Sequence, residues 1–351
     1  GGTGDAGLGG GGAPPPRARA RARPGGRASL CGGGALTHTT GGPGGAALGG
    51  PARGVEGAGA SPLPTRMAVI GMGRFGGREL AYGSDADVLF VHEPLDGADE
   101  ADAAKAAGQV ANELRRLLQV PTSDPPLLID ADLRPEGRSG PLVRTLASYA
   151  AYYRRWSLAW ESHALLRAAP VAGDADLGRR FVELVDPLRY PAGGLTEEAV
   201  REIRRLKARM ESERLPRGAD PATHTKLGRG GLSDVEWVVQ LTQLRHAAEV
   251  PGLRTTRTRQ ALAAAREAGL VDGEDAAVLD EAWVLATRVR NAVMLVRGRP
   301  GDTFPADSRE LAGVGRYLGY GPGRAGEMID DYRPTPPHPR AVGDRRKDTG
   351  C

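Results

Sequence analysis

Between about residues 65 and 144, short apolar runs alternate with polar stretches. Three such runs predict buried strands, at 67–70, 88–91 and 127–133. Between the second and the third run, apolar residues recur at every third or fourth position and predict a helix over 102–118. This mixture predicts a small α/β unit that extends from about 65 to 144.

From residue 145 onward the apolar positions follow a helical period. They predict a series of helices, at 145–169, 174–189, 196–214, 232–249, 258–268, 274–297 and 307–319. Proline and glycine lie between these segments, where helices end readily. The predicted fold class is therefore α+β: a small mixed sheet with helices, followed by a larger all-α helical domain.

The two ends of the chain differ in composition from the middle. Residues 1–64 are mostly Gly, Ala, Pro and Arg and contain few large apolar side chains, which predicts a disordered lead. Residues 334–351 are rich in Pro, Arg and Asp and predict a disordered tail. The predicted domains are thus the lead 1–64, the α/β domain 65–144, the helical domain 145–333 and the tail 334–351.

Composition and charge narrow the classes of function. The net charge of the 351 residues is +4, and much of the positive excess lies in the arginine-rich ends. With an aromatic content of 5%, this argues against nucleic acid as the main partner. The sequence has neither a membrane-spanning apolar run nor a signal-peptide core, so we expect a soluble, cytoplasmic protein without membrane association. The cysteines, Cys31 and Cys351, lie in the two ends and argue against a disulfide framework or a zinc site.

A glycine-rich turn follows the first predicted strand. Residues 71–76, GMGRFG, fit the G-x-G-x-x-G fingerprint of dinucleotide-binding proteins. That fingerprint needs a full helix and a parallel second strand, with an acidic residue roughly 20 positions further on, a place that Glu93 could fill. In this chain the helix would have to fit into the segment 77–84, which has glycines at positions 77 and 83. About six residues between glycines are available, and they make under two helical turns. Because this is too short for a parallel crossover, the pattern disfavours a dinucleotide site.

Aspartates open the second predicted strand and lie on the third. Residues i and i+2 of a strand face the same side, so Asp85 and Asp87 present two carboxylates together, which raises the pKa of each. Mg²⁺ prefers carboxylate and phosphate oxygens and would relieve this repulsion. Asp130 and Asp132 add carboxylates on another strand, and two bridged metals can activate a hydroxyl and stabilise a leaving pyrophosphate. The simpler alternative is that Asp85 and Asp87 only cap a strand as turn residues.

A glycine turn, an Asp-x-Asp pair opening a strand and a later lone aspartate are together typical of the nucleotidyltransferase superfamily. Three longer segments resemble the glutamine synthetase adenylyltransferase family, the bifunctional adenylyltransferase/adenylyl-removing enzymes. They are GMGRFGGRELAYGSDADVLFV (71–91), the stretch from DLRPEGRSGPLV to PVAGD (132–174) and KLGRGGLSDVEWVVQLTQLRH (226–246). The resemblance extends from about Leu63 to Tyr332, and YGSDADV with the helices after it looks more like the C-terminal, adenylylating half of such enzymes.

The resemblance implies a reaction and its partners. It implies Mg²⁺-dependent transfer of AMP from ATP to a tyrosine hydroxyl of glutamine synthetase, in the regulation of nitrogen metabolism. ATP and glutamine synthetase would be substrates, and the PII signal protein is a further candidate partner. Two alternatives stay open: phosphorolytic removal of AMP from adenylylated glutamine synthetase, and a non-catalytic fragment that binds glutamine synthetase or PII.

The resemblance also implies a set of catalytic and metal-binding residues. Asp85, Asp87 and Asp130 are expected to ligate Mg²⁺. Asp130 stands three positions before the Leu-Arg-Pro motif and is favoured over Asp132, which could be a solvated neighbour. Asp130 would also help to deprotonate the acceptor hydroxyl, which matters because a tyrosine has a pKa near 10.

Other residues are expected to bind the nucleotide. Gly73 and Arg74, with Gly83 and Ser84, would hold the triphosphate through backbone N–H groups and the serine hydroxyl. Two cations are further candidates, Arg134 for phosphate and Lys226 for an anion. The alternative for Arg134 is a surface ion pair. For the glycine-rich loop that starts at Lys226, it is packing of the helical domain onto the catalytic one, with Asp234 and Glu236 as structural partners.

Overall fold

A computed structural model describes residues 62–122, 126–156 and 158–333. The predicted tail and all but the last three residues of the predicted lead lie outside these residues. The strands are β1 Thr65–Gly71, β2 Ala86–Pro94, β3 Ile129–Asp130, β4 Val143–Thr145 and β5 Ala169–Gly173. The helices of the first part are α1 Gly73–Gly76, α2 Glu100–Gln119, α3 Leu146–Trp156, α4 Ala159–Leu165 and α5 Ala175–Arg189. Those of the second part are α6 Glu197–Arg214, α7 Leu232–His246, α8 Thr258–Glu267, α9 Gly273–Arg297, α10 Ser308–Leu318 and α11 Ala325–Tyr332.

The strands form one mixed sheet in the order β3-β2-β1-β5, and β4 also pairs with β2. β1 is antiparallel to both β2 and β5, whereas β3 and β4 are parallel to β2. The antiparallel pairing of β1 with β2 excludes the parallel βαβ unit of a dinucleotide fold. A mixed sheet followed by a helical part confirms the predicted α+β class.

Helices cover both faces of the sheet because its two central strands are apolar on both sides. On one face, Ile70 and Leu89 pack against Tyr149 and Phe181 of α3 and α5. On the other face, Val69, Val88 and Phe90 pack against the alanines of α2. A separate core holds α6 to α11 together. Among the described residues, none of the helices has the length and hydropathy needed to cross a membrane.

The sheet departs from the prediction at its edges. The helix predicted over 145–169 is wrong in its last part, because α4 ends at Leu165 and residue 169 begins β5, which pairs with β1. The strand predicted at 127–133 is reduced to two residues, and β4 was not predicted. The sheet therefore continues beyond position 144, where the predicted α/β domain ends; the division into domains stays a prediction. The later helices agree with their predicted bounds to within three residues.

Candidate active site

Two of the predicted catalytic aspartates lie side by side in the sheet. Asp87 of β2 pairs in parallel register with Asp130 of β3, so that both side chains point to the same face. Asp85 precedes β2 and is exposed. Burial raises the pKa of Asp87 to about 6, and the negative charges of Asp130 and Asp85 add to that effect. The site therefore favours a positive charge close to these carboxylates.

The backbone of the glycine turn lies directly against Asp87. Gly73 has a φ of 49°, and a Cβ at this position would lie 2.3 Å from Oδ2 of Asp87. The N–H of Met72 donates to the carbonyl oxygen of Asp87 at 2.8 Å. Only glycine suits both the conformation and the space, so the turn and the aspartate form one unit.

Ser84 and Gly83 lie at the other end of this segment, and the structure gives them different surroundings. The Ser84 hydroxyl is buried and has no hydrogen-bond partner within the described part of the chain. A Cβ on Gly83 would lie 2.9 Å from Sδ of Met294 in α9. Gly83 therefore packs against a helix, while the Ser84 hydroxyl has no partner among the described residues; nucleotide binding by both residues stays a prediction.

The side chain of Arg74 turns into the protein. Its Nε donates to the carbonyl oxygen of Glu79 at 2.9 Å, and its Nη2 donates to Oγ1 of Thr287 at 3.3 Å. The guanidinium group lies 5.3 Å from the ring centre of Trp283, and burial lowers its pKa. This side chain links α1 to α9, so the predicted contact with the triphosphate rests on the backbone N–H group of Arg74.

Arg134 is buried and holds the loop after β3. Its Nε donates to the carbonyl oxygen of Gly140 at 3.1 Å, and its Nη1 donates to that of Ala131 at 2.8 Å. Its contact with Asp132 is longer, at 3.5 Å. These bonds make Arg134 a buried loop anchor; the predicted contact with phosphate stays a prediction.

Lys226 brings a positive charge to the aspartates from the helical part. It is exposed, and it lies close enough to Asp87 that its charge lowers the pKa of that carboxyl. Among the described residues, its Nζ has no hydrogen bond or ion pair. The loop that follows is fixed by Asp234, which accepts from the N–H of Gly230 at 2.8 Å and from Nζ of Lys207 at 2.6 Å. The loop thus has a structural partner in Asp234 and a free cation at its start.

A buried ionic contact that the sequence did not predict fixes the segment after the glycine turn. Nη1 of Arg167 donates to Oε2 of Glu79 at 2.7 Å and to the carbonyl oxygen of Thr256 at 2.8 Å. Glu79 also accepts from the N–H of Thr258 at 2.7 Å, at the start of α8. The side chains of Arg167 and Glu79 are 4% and 9% exposed. We call this pair the Glu79–Arg167 clamp; it ties the glycine turn to the helical part.

The clamp explains the last glycines of the turn. A Cβ on Gly76 would lie 1.9 Å from the carbonyl oxygen of Arg167, and one on Gly77 would lie 2.4 Å from its Nη1. The third glycine of the motif therefore makes room for the backbone of Arg167. The sequence offers no spacing rule that connects position 76 with position 167.

Comparison with known proteins finds a different family model for each part of the chain. A family model described as glutamate-ammonia ligase adenylyltransferase matches residues 52–184, and one described as GlnD PII-uridylyltransferase matches residues 199–335. The bifunctional glutamine synthetase adenylyltransferase/adenylyl-removing enzyme of Streptomyces avermitilis is 76% identical over 284 residues, which are 81% of this chain and 28% of that protein. The proteins of the same name from Streptomyces coelicolor and Nocardia farcinica are 77% identical over 280 residues and 57% identical over 301 residues. The match to the Streptomyces coelicolor protein includes 80% of this chain and 28% of that protein. The match to the Nocardia farcinica protein includes 86% of this chain and 30% of that protein.

The chain is similar to proteins of the glutamine synthetase adenylyltransferase family over 80% to 86% of its length. It spans less than a third of the length of the relatives described above. All five strands lie within the adenylyltransferase match, and α7 to α11 lie within the other, which starts two residues after the beginning of α6. The adenylyltransferase match thus includes β5, the strand beyond position 144.

The aspartates suit Mg²⁺ when a nucleotide supplies further ligands. Within the described ranges, no group of three or more His, Cys, Asp or Glu side chains is arranged to hold a metal ion. Mg²⁺, however, is usually bound by one or two carboxylates together with substrate phosphates and waters. The adjacent carboxylates of Asp87 and Asp130 fit this requirement, because burial and the charge of Asp130 raise the pKa of Asp87 and a cation between the two carboxylates would relieve their repulsion. Asp85 as a third ligand stays a prediction.

Proposed function

We propose that this chain catalyses the Mg²⁺-dependent transfer of AMP from ATP to a tyrosine hydroxyl of glutamine synthetase, and so regulates nitrogen assimilation in the cytoplasm. The names of its relatives support AMP transfer to glutamine synthetase. The observation that carries the proposal is the pairing of Asp87 with Asp130 beside the Gly73 turn.

Each group at the site has a place in this reaction. Asp87 and Asp130, with Asp85, would hold Mg²⁺ together with phosphate oxygens of ATP. Bound there, Mg²⁺ would neutralise phosphate charge and polarise the reacting oxygens. Backbone N–H groups of the Gly73 turn and the free hydroxyl of Ser84 would bind the triphosphate, and Lys226 would add a positive charge on the same side.

The proposed chemical step is a displacement at the α-phosphorus of ATP. The phenolic oxygen of the tyrosine forms a bond to this phosphorus, the bond to the bridging oxygen of the β-phosphate breaks, and pyrophosphate leaves. The phenolic proton passes to the carboxylate of Asp130. A base is needed because the phenol, with a pKa near 10, is protonated at neutral pH.

Labelling separates this reaction from its reverse. We expect the purified chain, glutamine synthetase and ATP labelled at the α-phosphate to give labelled synthetase, with label on tyrosine and only when Mg²⁺ is present. A matched incubation with adenylylated synthetase and inorganic phosphate tests for release of ADP, and PII is added to both as a candidate effector. Absence of label, with or without PII, would refute the proposal, and ADP release in its place would assign the reverse reaction.

A further inference from the structure

A cavity of about 400 Å³ opens beside β3, next to the aspartate pair. Its wall combines carboxylates and guanidinium groups, from Asp85, Asp130, Asp132, Arg115, Arg134 and Arg138. Its volume lies in the range of small-ligand sites. Gly73, Ser84 and Lys226, which are proposed to bind the triphosphate, are not part of this wall, whereas Arg134, whose contact with phosphate stays a prediction, is part of it. The cavity is thus a second compartment that shares Asp85 and Asp130 with the nucleotide site.

The three arginines of the cavity differ in how far their charges are satisfied. Arg134 is held by backbone carbonyls, and Nε of Arg138 donates to Asp132 at 2.6 Å. Arg115, which α2 directs to the cavity, has a buried Nε without a hydrogen-bond partner among the described residues. A buried charged donor that lacks an acceptor is unfavourable, so a ligand with an acceptor oxygen would stabilise Arg115.

The position of the cavity indicates which substrate it receives. In phosphoryl-type transfer the attacking and the leaving oxygen lie roughly in line, on opposite sides of the phosphorus. The Gly73 turn and Lys226 lie near Asp87, whereas the cavity borders Asp130 on β3. If the leaving pyrophosphate lies on the side of the turn, the attacking hydroxyl approaches from the cavity.

The charges of the cavity indicate the chemistry of that substrate. Asp132 is paired with Arg138, and Asp85 and Asp130 are the proposed Mg²⁺ ligands. Among the described residues, Arg115 is then left without an ion-pair partner. We propose that the cavity is the acceptor subsite and that Arg115 binds a carboxylate of an acidic segment next to the acceptor tyrosine. This inference rests on the proposed function.

Steady-state kinetics with both substrates test the assignment of Arg115. For Arg115→Ala we expect the KM for glutamine synthetase to rise about tenfold or more, with the KM for ATP unchanged, because one partner of a charged contact is lost. Arg115→Lys should restore part of the lost affinity for glutamine synthetase, since lysine keeps the positive charge but cannot donate two parallel hydrogen bonds to a carboxylate as a guanidinium group does. The matched control is Arg116→Ala on the same turn of α2, where Arg116 is exposed and pairs with Glu113. A rise in the KM for ATP alone, or no change in either KM, would overturn the inference.

A binding measurement without turnover separates this site from the proposed reaction. The probes are fluorescent peptides, Glu-Glu-Tyr-Glu-Glu and Lys-Lys-Tyr-Lys-Lys, titrated with the 351-residue chain in the presence of Mg²⁺ and a non-hydrolysable ATP analogue. We expect the acidic peptide to bind more tightly than the basic one, and Arg115→Ala to remove the difference. Binding of this kind in a chain that transfers no AMP would contradict the proposed function but keep the carboxylate site. Equal binding of both peptides would overturn the site itself.

Discussion

The Glu79–Arg167 clamp gives a prediction whose size follows from burial. In Glu79→Ala, the Arg167 side chain, which is 4% exposed, loses its carboxylate, and the N–H of Thr258 loses its acceptor. Removing one partner of a buried ion pair typically costs about 3–5 kcal/mol when the remaining charge is left unpaired. Arg167 keeps Oε1 of Glu236 at 3.7 Å, so we expect Glu79→Ala to cost about 3 kcal/mol, the lower end of this range. Replacing both partners by apolar residues, as in Glu79→Leu with Arg167→Met, should cost less than Glu79→Ala, because Glu236 still has Arg74 at 3.9 Å.

Urea unfolding followed by circular dichroism measures these free energies. The control is Glu113→Ala, which removes an exposed partner of Arg116 and should change the free energy of unfolding by less than about 1 kcal/mol. For Glu79→Ala we expect a lower urea concentration at the midpoint of unfolding, with an unchanged dependence of the free energy of unfolding on urea concentration. If Glu79→Ala lies within about 1 kcal/mol of the parent protein, the clamp is not the buried ion pair described here.

Three further predictions concern the aspartate pair, the glycine turn and a buried histidine. Asp87→Asn should abolish AMP transfer in the labelling assay without lowering the free energy of unfolding, because burial and Asp130 disfavour the charged form; a less stable variant would contradict this. Gly76→Ala should destabilise the protein in urea, since its Cβ would meet backbone oxygens at 1.9 and 2.4 Å. Gly108→Ala on α2, where a Cβ meets nothing within 4 Å, should stabilise it by up to about 1 kcal/mol; equal effects would refute the packing argument. Burial lowers the pKa of His163 to about 4, against about 6.5 when unfolded, so stability falls as the pH drops from 6.5 to 4. At pH 5, His163 should account for a decrease of about 2 kcal/mol in the free energy of unfolding. His163→Phe should remove this decrease, which is measured by urea unfolding at pH 7.5 and pH 5. An unchanged pH dependence in the variant would contradict the role of His163.

The sequence predicted the central strands and the helices well, because their apolar patterns are long. It failed at the sheet edges for a physical reason. Residues 169–173 are small and partly apolar, and they become a strand only through pairing with β1. The two-residue β3 and the three-residue β4 likewise depend on the edge of β2 and not on their own pattern.

In the candidate site, too, the sequence predicted what local spacing determines and missed what tertiary contacts determine. The spacing of the aspartates predicted a carboxylate cluster, and the register places Asp87 beside Asp130. The sequence assigned the backbone of Arg74 to the triphosphate but did not predict that its side chain contacts Thr287 and Trp283 of α9. Arg167 and Arg115 escaped notice because tertiary packing, and not sequence spacing, brings them to the glycine turn and to the cavity.

The position of Lys226 has a consequence for how this protein can be divided. Every candidate carboxylate precedes α5, whereas the lysine that influences Asp87 follows α6. A fragment that ends between these two helices would keep the aspartates and lack the cation, and the complementary fragment would keep only the cation. Neither piece would hold a complete site, so this connection is a natural place to split the chain into a two-component reporter whose activity depends on reassociation.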